Sequence, residues 1–223
     1  QTAAHMVKSV ATSPHVLQAV EGDFEAVEVA RTQHGEAWKA KEGFLLNYLP
    51  FIARAVCEAI VEFPRINATY GEEALTVHKR VHLGIAVDLY FEGLMVPVIR
   101  DAQKLSVAAL AREIARLAAS ARAGTLKPDE VTGGTYTLSN SGPFGTLITA
   151  PIISQPQVAI LSTDGVTRKP AVVKDNGGER IAIRSIGVLA QSFDHRAFDG
   201  AYSAAYLKRV KEILETRDWK AAL

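Results

Sequence analysis

Between Tyr48 and Phe63 the apolar residues Leu49, Ile52, Ala53, Val56, Ile60 and Phe63 recur at spacings of three and four. That period gives a helix with one apolar face, and Pro64 stops it because proline cannot continue the backbone hydrogen bonding. Residues 25–42 carry Val27, Val29, Ala30, Ala37 and Trp38 among charges and predict a surface helix. A third helix starts at Ser106 as cap, keeps Val107, Leu110, Ile114, Leu117 and Ala118 on one face and ends at Gly124. The last helix runs from about Ala201 to Glu215.

Strand patterns lie between them. His82–Val87 and Leu94–Ile99 are rich in branched residues and flank Glu92-Gly93, a hairpin signal. Thr135–Ser139 reads as a strand opening into the tight loop Asn140-Ser141-Gly142-Pro143. Val158–Leu161, Ala171–Lys174 and Ile181–Leu189 are further strands, the last two joined by a turn at Asp175-Asn176-Gly177-Gly178. In the first twenty residues the one clear signal is the turn-like break Thr12-Ser13-Pro14-His15. Helices and strands mix without regular alternation, which favours an α+β domain over a doubly wound parallel sheet.

Bulk properties narrow the partners. The 223 residues are 48% hydrophobic and 22% charged, ordinary for a globular chain able to bury its own core. With 25 basic and 24 acidic side chains the net charge is +1, which gives no basic field for nucleic acid or an anionic membrane. No apolar run reaches the roughly 18–20 residues of a membrane span. Cys57 stands alone, so no internal disulfide forms and a reducing compartment is expected. The chain opens on Gln1, which reads as a fragment of a longer protein whose upstream domains and targeting signals lie outside this sequence.

Two segments carry candidate chemistry. Ser192-Phe193-Asp194-His195-Arg196-Ala197-Phe198-Asp199-Gly200-Ala201 follows a strand and leads into the last helix. His195 is a candidate general base, because imidazole titrates near neutral pH, and Asp199 could hold the loop or orient the ring. By spacing alone, a His and an Asp four apart more often make an ordinary polar turn. In Tyr136-Thr137-Leu138-Ser139-Asn140-Ser141-Gly142, Ser139 could donate to an oxyanion, although such residues more often cap a loop. His78 and His82 sit four apart without Cys or acidic helical partners, so no metal site is expected. His5, His15 and His34 read as surface or interface residues, and Cys57 as inert packing. No G-x-S-x-G elbow is present, which disfavours a serine hydrolase.

His195-Arg196-Ala197-Phe198-Asp199-Gly200 resembles the His-x-x-x-Asp-Gly signature of the 2-oxo acid dehydrogenase acyltransferases. Thr132–Asn140, Pro151-Ile152-Ile153, Pro156–Leu161, Gly93–Asp101 and Tyr48-Leu49-Pro50-Phe51 follow in the family's order, so the likeness covers nearly the whole chain. Phe198 stands where an aliphatic residue is common, and the loop after Asp88 carries Tyr90-Phe91.

The resemblance implies an α+β two-layer sandwich, chloramphenicol acetyltransferase-like, with residues 1–223 forming one acyltransferase catalytic domain. It implies acyl transfer between the dihydrolipoyl group and coenzyme A, with His195 as base, Ser139 as oxyanion donor and Asp199 supporting the geometry. Coenzyme A contacts match Arg31, Asn47, Asp88, Ser139 and Asn140. The lipoyl group would arrive on a separate domain, and neither a lipoyl nor a peripheral-subunit-binding domain lies in this sequence. Expected partners are a homotrimer built into a larger core, plus 2-oxo acid decarboxylase and dihydrolipoamide dehydrogenase components. In the trimer, His195 of one chain would face Ser139 of its neighbour. The expected location is the cytoplasm of a bacterium, or the mitochondrial matrix in a eukaryote. Two other readings remain: a free-standing CoA-dependent acetyltransferase of the same fold, and an inactive structural core protein.

Overall fold

A computed structural model describes residues 2–71, 74–175 and 177–223. The elements in chain order are α1 (Thr2–Thr12), β1 (His15–Asp23), α2 (Glu25–Glu42), α3 (Leu49–Glu62), β2 (Ala68–Tyr70) and β3 (Leu75–Val77). There follow β4 (Leu83–Asp88), β5 (Leu94–Met95), β6 (Val98–Ile99), α4 (Val107–Ala123), β7 (Tyr136–Asn140) and β8 (Ala159–Thr163). The chain finishes with β9 (Thr167–Asp175), β10 (Gly178–Asp194) and α5 (Gly200–Thr216), apart from short 3₁₀ turns.

The helix signals hold to within a residue or two. Ser106 Oγ accepts the Ala109 N–H at 3.2 Å at the start of α4, and Gly124 ends it in the left-handed conformation at φ 67°. α3 buries far more than one face, including Leu49, Phe51, Ile52, Ala55, Val56, Cys57 and Ile60, because it packs against both α4 and α5.

Eight strands form one mixed sheet in the order β1-β10-β8-β7-β4-β5, with β6 also on β4 and β9 also on β10. β4, β7 and β8 are mutually parallel, and the rest pair antiparallel. β4 reaches parallel β7 through α4, the crossover a parallel pair requires. The sequence pattern misses α1, β1 and the β2–β3 hairpin. Its Thr12–His15 break falls between α1 and β1. It also sees about half of β10, which runs 17 residues because one end pairs with β9 and the other lies between β1 and β8. The turn expected at Asp175–Gly178 includes Asn176, which lies outside the described residues.

Alternation along the strands separates two faces. Leu83, Ile85, Val87, Tyr136, Leu138, Ala159, Leu161, Leu189 and Phe193 enter one cluster with Leu110, Leu117, Leu207 and Val210 from the helices. This is the core of a two-layer α+β sandwich, as expected. The opposite face is small and polar, with Thr137, Ser162 and Ser192 buried and Ser139 half-buried. At its centre Gly84 has no alternative, since a Cβ there would meet Thr137 Oγ1 at 2.8 Å and Val96 Cγ1 at 2.9 Å.

One polar chain crosses the apolar layer. Tyr136 donates its hydroxyl to Gln191 Oε1 at 2.8 Å, and Gln191 Nε2 donates to Ser203 Oγ at 2.9 Å. Tyr136→Phe leaves a buried amide oxygen without that donor and should cost about 1–3 kcal/mol, read from the urea midpoint.

Candidate active site

His195 sits just beyond the end of β10, exposed, in a turn fixed from three sides. Its own N–H donates to Pro14 O at 3.1 Å. Asp194 Oδ1 accepts the Arg196 N–H at 3.0 Å, and the Arg196 guanidinium closes on the same carboxylate at 2.6–3.2 Å. Arg196 also lies over the Tyr70 ring at 4.6 Å. Burial of Asp194 works to raise its carboxyl, but the hydrogen bonds from Arg196 and Ser13 and the Arg196 charge hold it below its usual value.

The imidazole rests on an aromatic shelf. Its ring lies 5.8 Å from Phe193, which stacks on Phe198 at 5.0 Å with planes 17° apart. Phe198 is therefore part of the support beneath His195, a role its position in the motif does not disclose. Neither ring nitrogen of His195 has a hydrogen-bond partner among the described residues, so both are available to a ligand or another chain.

Asp199 does not touch that ring. It is the N-cap of α5, where its carboxylate accepts the Tyr202 N–H at 2.9 Å. Of the two roles open from sequence, the structure selects loop-holding.

Ser139 lies far from His195 within one chain. Strand register pairs Ser139 with Ser162 near the end of β8 and Phe193 with Ala159 at its start. Three residues along a strand span roughly 10 Å, and His195 lies beyond Phe193 on the far side. The Ser139 hydroxyl also has no hydrogen-bond partner among the described residues. A single chain thus presents the two groups toward opposite ends of β8.

Neighbouring Asn140 points to the helix side and lines two adjoining cavities of about 250 and 450 Å³. Asn47, Leu49 and Pro143 line both as well. Asn47 Oδ1 accepts the Leu49 N–H, while Asn140 Oδ1 accepts Gly142 N–H and Thr163 Oγ1–H. Each carbonyl oxygen is therefore occupied and each NH₂ is left facing the cleft as a donor. Asp88 lines the larger cavity, with its carboxylate accepting the Phe91 N–H at 3.1 Å. Buried Asp164 collects Thr146 Oγ1–H at 2.5 Å, Thr149 Oγ1–H at 2.7 Å and Thr149 N–H at 3.2 Å. It thereby fastens the loop that places Pro143 in the cavity wall.

Arg31 lines neither cavity. Its guanidinium holds Glu28 and the Leu46 carbonyl and lies 4.7 Å over Tyr48, whose hydroxyl donates to Glu28 at 2.6 Å. Burial, then Glu28, pushes the Tyr48 hydroxyl up to about 12, so it stays a donor. Arg31 thereby ties Leu46 and Tyr48, on either side of Asn47, to α2.

Other expected residues find structural work. His15 is bound on both ring nitrogens, donating from Nδ1 to Ser13 O at 2.8 Å and accepting Ile153 N–H at Nε2. His78 pairs with Thr69 Oγ1, and His82 Nδ1 accepts the Asp101 N–H. The described residues hold no group of three metal-ligating side chains, and none of their helices is long and apolar enough to cross a membrane. Burial pushes the Cys57 thiol up to about 12, which makes it inert. Sequence reasoning missed the Asp194–Arg196 clamp, although its i, i+2 acid–base pair brackets His195 in plain view.

Residues 1–222 match the family described as 2-oxoacid dehydrogenases acyltransferase (catalytic domain). The chain belongs to that family. It is 41% identical over its whole length to the dihydrolipoyllysine-residue acetyltransferase component of pyruvate dehydrogenase complex from Mycobacterium bovis. It spans 40% of that relative's length. A crystal structure of a probable dihydrolipoamide acetyltransferase from Listeria monocytogenes superposes with TM-score 0.90 at 34% identity, covering 96% of this chain and 89% of that one. The Azotobacter vinelandii dihydrolipoamide acetyltransferase, studied for the catalytic roles of a serine, a histidine and an asparagine, superposes with TM-score 0.89 at 33% identity. That match covers 96% of this chain and 87% of that one. A chloramphenicol acetyltransferase shares the fold at 12% identity with TM-score 0.57, covering 95% of this chain and 94% of its own.

The clamp beside His195 has a pH signature. A carboxyl held below its unfolded value stabilises the fold above that value and loses the effect as pH falls through the folded one. Asp194→Asn should lower the urea midpoint at pH 7, and the gap to wild type should narrow below pH 3.8, the ordinary Asp value. A gap that stays constant to acid pH would exclude the ion pair as its cause.

Proposed function

We propose that this chain is the acyltransferase core of a 2-oxo acid dehydrogenase complex. It moves an acyl group between a dihydrolipoyl group and coenzyme A at sites completed by a neighbouring copy in a trimer. The observation that carries this reading is the pairing of an exposed, unpartnered His195 with a distant, unpartnered Ser139. Each is half of a site, and a head-to-tail ring supplies the other half at every interface. Larger assembly of such trimers, with decarboxylase and dihydrolipoamide dehydrogenase components, extends the same reading. We place the protein in the bacterial cytoplasm, in keeping with a lone buried thiol.

The chemistry is proton transfer coupled to thioester exchange. Thiols near pKa 8.5 are mostly protonated at neutral pH, and the thiolate is the nucleophile. A ring nitrogen of His195 takes the thiol proton as sulfur attacks the thioester carbonyl, and the carbonyl electrons move onto oxygen. Ser139 of the neighbouring chain donates its hydroxyl to that oxyanion. Collapse breaks the second carbon–sulfur bond, and the imidazolium returns the proton to the leaving thiolate. No acyl-enzyme forms, because both substrates meet at one centre. The Asp194–Arg196 clamp and the Asp199 cap keep the imidazole placed for this exchange. The Asn47 and Asn140 amides suit the carbonyl oxygens of a pantetheine arm lying in the cleft.

His195→Ala should lower kcat by roughly a hundredfold or more, and Ser139→Ala by about 10²–10³ through lost oxyanion stabilisation. Mixed assembly of the two variants tests sharing directly. If each site takes His195 and Ser139 from different chains, about a quarter of the sites in random mixtures regain both groups. Activity in the mixture no higher than in either variant alone would exclude the shared site. Acetyl is the acyl group we propose, on the strength of the Mycobacterium relative. Turnover with acetyl-, isobutyryl- and succinyl-CoA decides it, since pocket shape discriminates by about 1–3 kcal/mol per methylene.

A further inference from the structure

Beside Ser139 lies a second hydroxyl that nothing in the chain binds. Strands β4, β7, β8, β10 and β1 are neighbours in the sheet, and their register lines up Ala86, Ser139, Ser162, Ala190 and Ala19 in one row. Directly opposed residues share a face, so the row lies on the side away from the helices. All five residues are alanine or serine, so the row holds two hydroxyls and no other polar side chain.

Ser162 is fully buried at 0% exposure, and its Oγ has no hydrogen-bond partner. A hydroxyl enclosed in this way is unfavourable until a partner reaches it. The polar side chains two residues away along β7 and β8 are already committed. Thr137 donates to Gln157 Oε1 at 2.7 Å, and Asp164 accepts the Thr146 and Thr149 hydroxyls at 2.5 and 2.7 Å. Ser139 is half-buried and its hydroxyl is also unpartnered. Adjacent strands lie about 4.8 Å apart, a gap that one χ1 rotation at a serine closes.

We infer that Ser162 is a positioning residue for the oxyanion donor. Its hydroxyl donates to Ser139 Oγ, whose own hydrogen then points at the thioester carbonyl oxygen. Ser162 is too enclosed to meet that oxygen itself, so it works through Ser139. A serine hydroxyl left alone rotates freely, and a donor into its lone pairs both fixes the hydrogen and polarises the O–H bond. The effect grows as the carbonyl oxygen becomes negative, so it favours the transition state over bound substrate. The assignment rests on the reading of Ser139 above and deepens it, turning one oxyanion donor into a two-hydroxyl relay held by the β7–β8 register.

Acyl-transfer kinetics of the assembled protein test the relay. Ser162→Ala should lower kcat roughly five- to tenfold and leave KM for coenzyme A and for the dihydrolipoyl substrate unchanged. In a Ser139→Ala background the same change should have no further effect, because the hydroxyl it acts through is gone. Removing an unpaired buried hydroxyl should also leave the urea midpoint at or above the wild-type value. Undiminished kcat in Ser162→Ala, a change confined to KM, a full additional loss in the double variant, or a lower urea midpoint would overturn the relay. Each of those outcomes leaves Ser139 and the transferase reading standing. A wild type without transfer activity, or Ser139→Ala with undiminished kcat, would instead sink that reading, and the relay with it.

Discussion

The backbone hydrogen-bond ladder of β10 fixes where chemistry can take place. From Ile186 to Asp194 this strand is paired with β1, and over Leu189–Phe193 it is also paired with β8 on its other edge. Neither neighbour can slip without exposing apolar side chains, since a one-residue shift exchanges the two faces of a strand. Phe193 is thereby committed to the core, Asp194 to the opposite face, and His195 to the first position free of the ladder. The Asp194–Arg196 pair then turns that free position into a fixed one.

The same ladder divides the labour between two sides of the sheet. Asn140 faces the helices and joins Asn47 and Asp88 in a cleft, whereas Ser139, one residue earlier, faces the other way. The cleft therefore reaches the Ser139 side of the sheet only past the end of β7. The parallel β4–β7–β8 group brings the ends of its strands together at that place, so Asp88, Asn140 and Thr163 fall on one rim. His195 lies toward the other end of β8, away from that rim.

Charge follows the same economy. A net charge of +1 hides a surface where most cations are already matched: Arg31 by Glu28, Arg112 by Glu42, Arg116 by Glu113 and Glu130. Arg31, expected from the resemblance as a coenzyme contact, is held within this chain by Glu28, the Leu46 carbonyl and the Tyr48 ring.

By itself the sequence determined the helices, the strands with clear alternation, the family, and the motif around His195, because these are local patterns of period, cap and spacing. It also placed Ser106 as a cap and Gly124 as a stop, where one side chain answers one backbone group. It left Asp199 with two roles, missed β1 and β2, and halved β10, since their pairing comes from residues far along the chain, such as His15 with Asp194. Only the tertiary structure decided that Asp199 caps α5, that Phe198 supports the imidazole, that Arg31 holds Glu28 and the Leu46 carbonyl and that Ser139 and His195 lie toward opposite ends of β8. Those outcomes depend on register and side-chain competition across long separations, which no local pattern encodes.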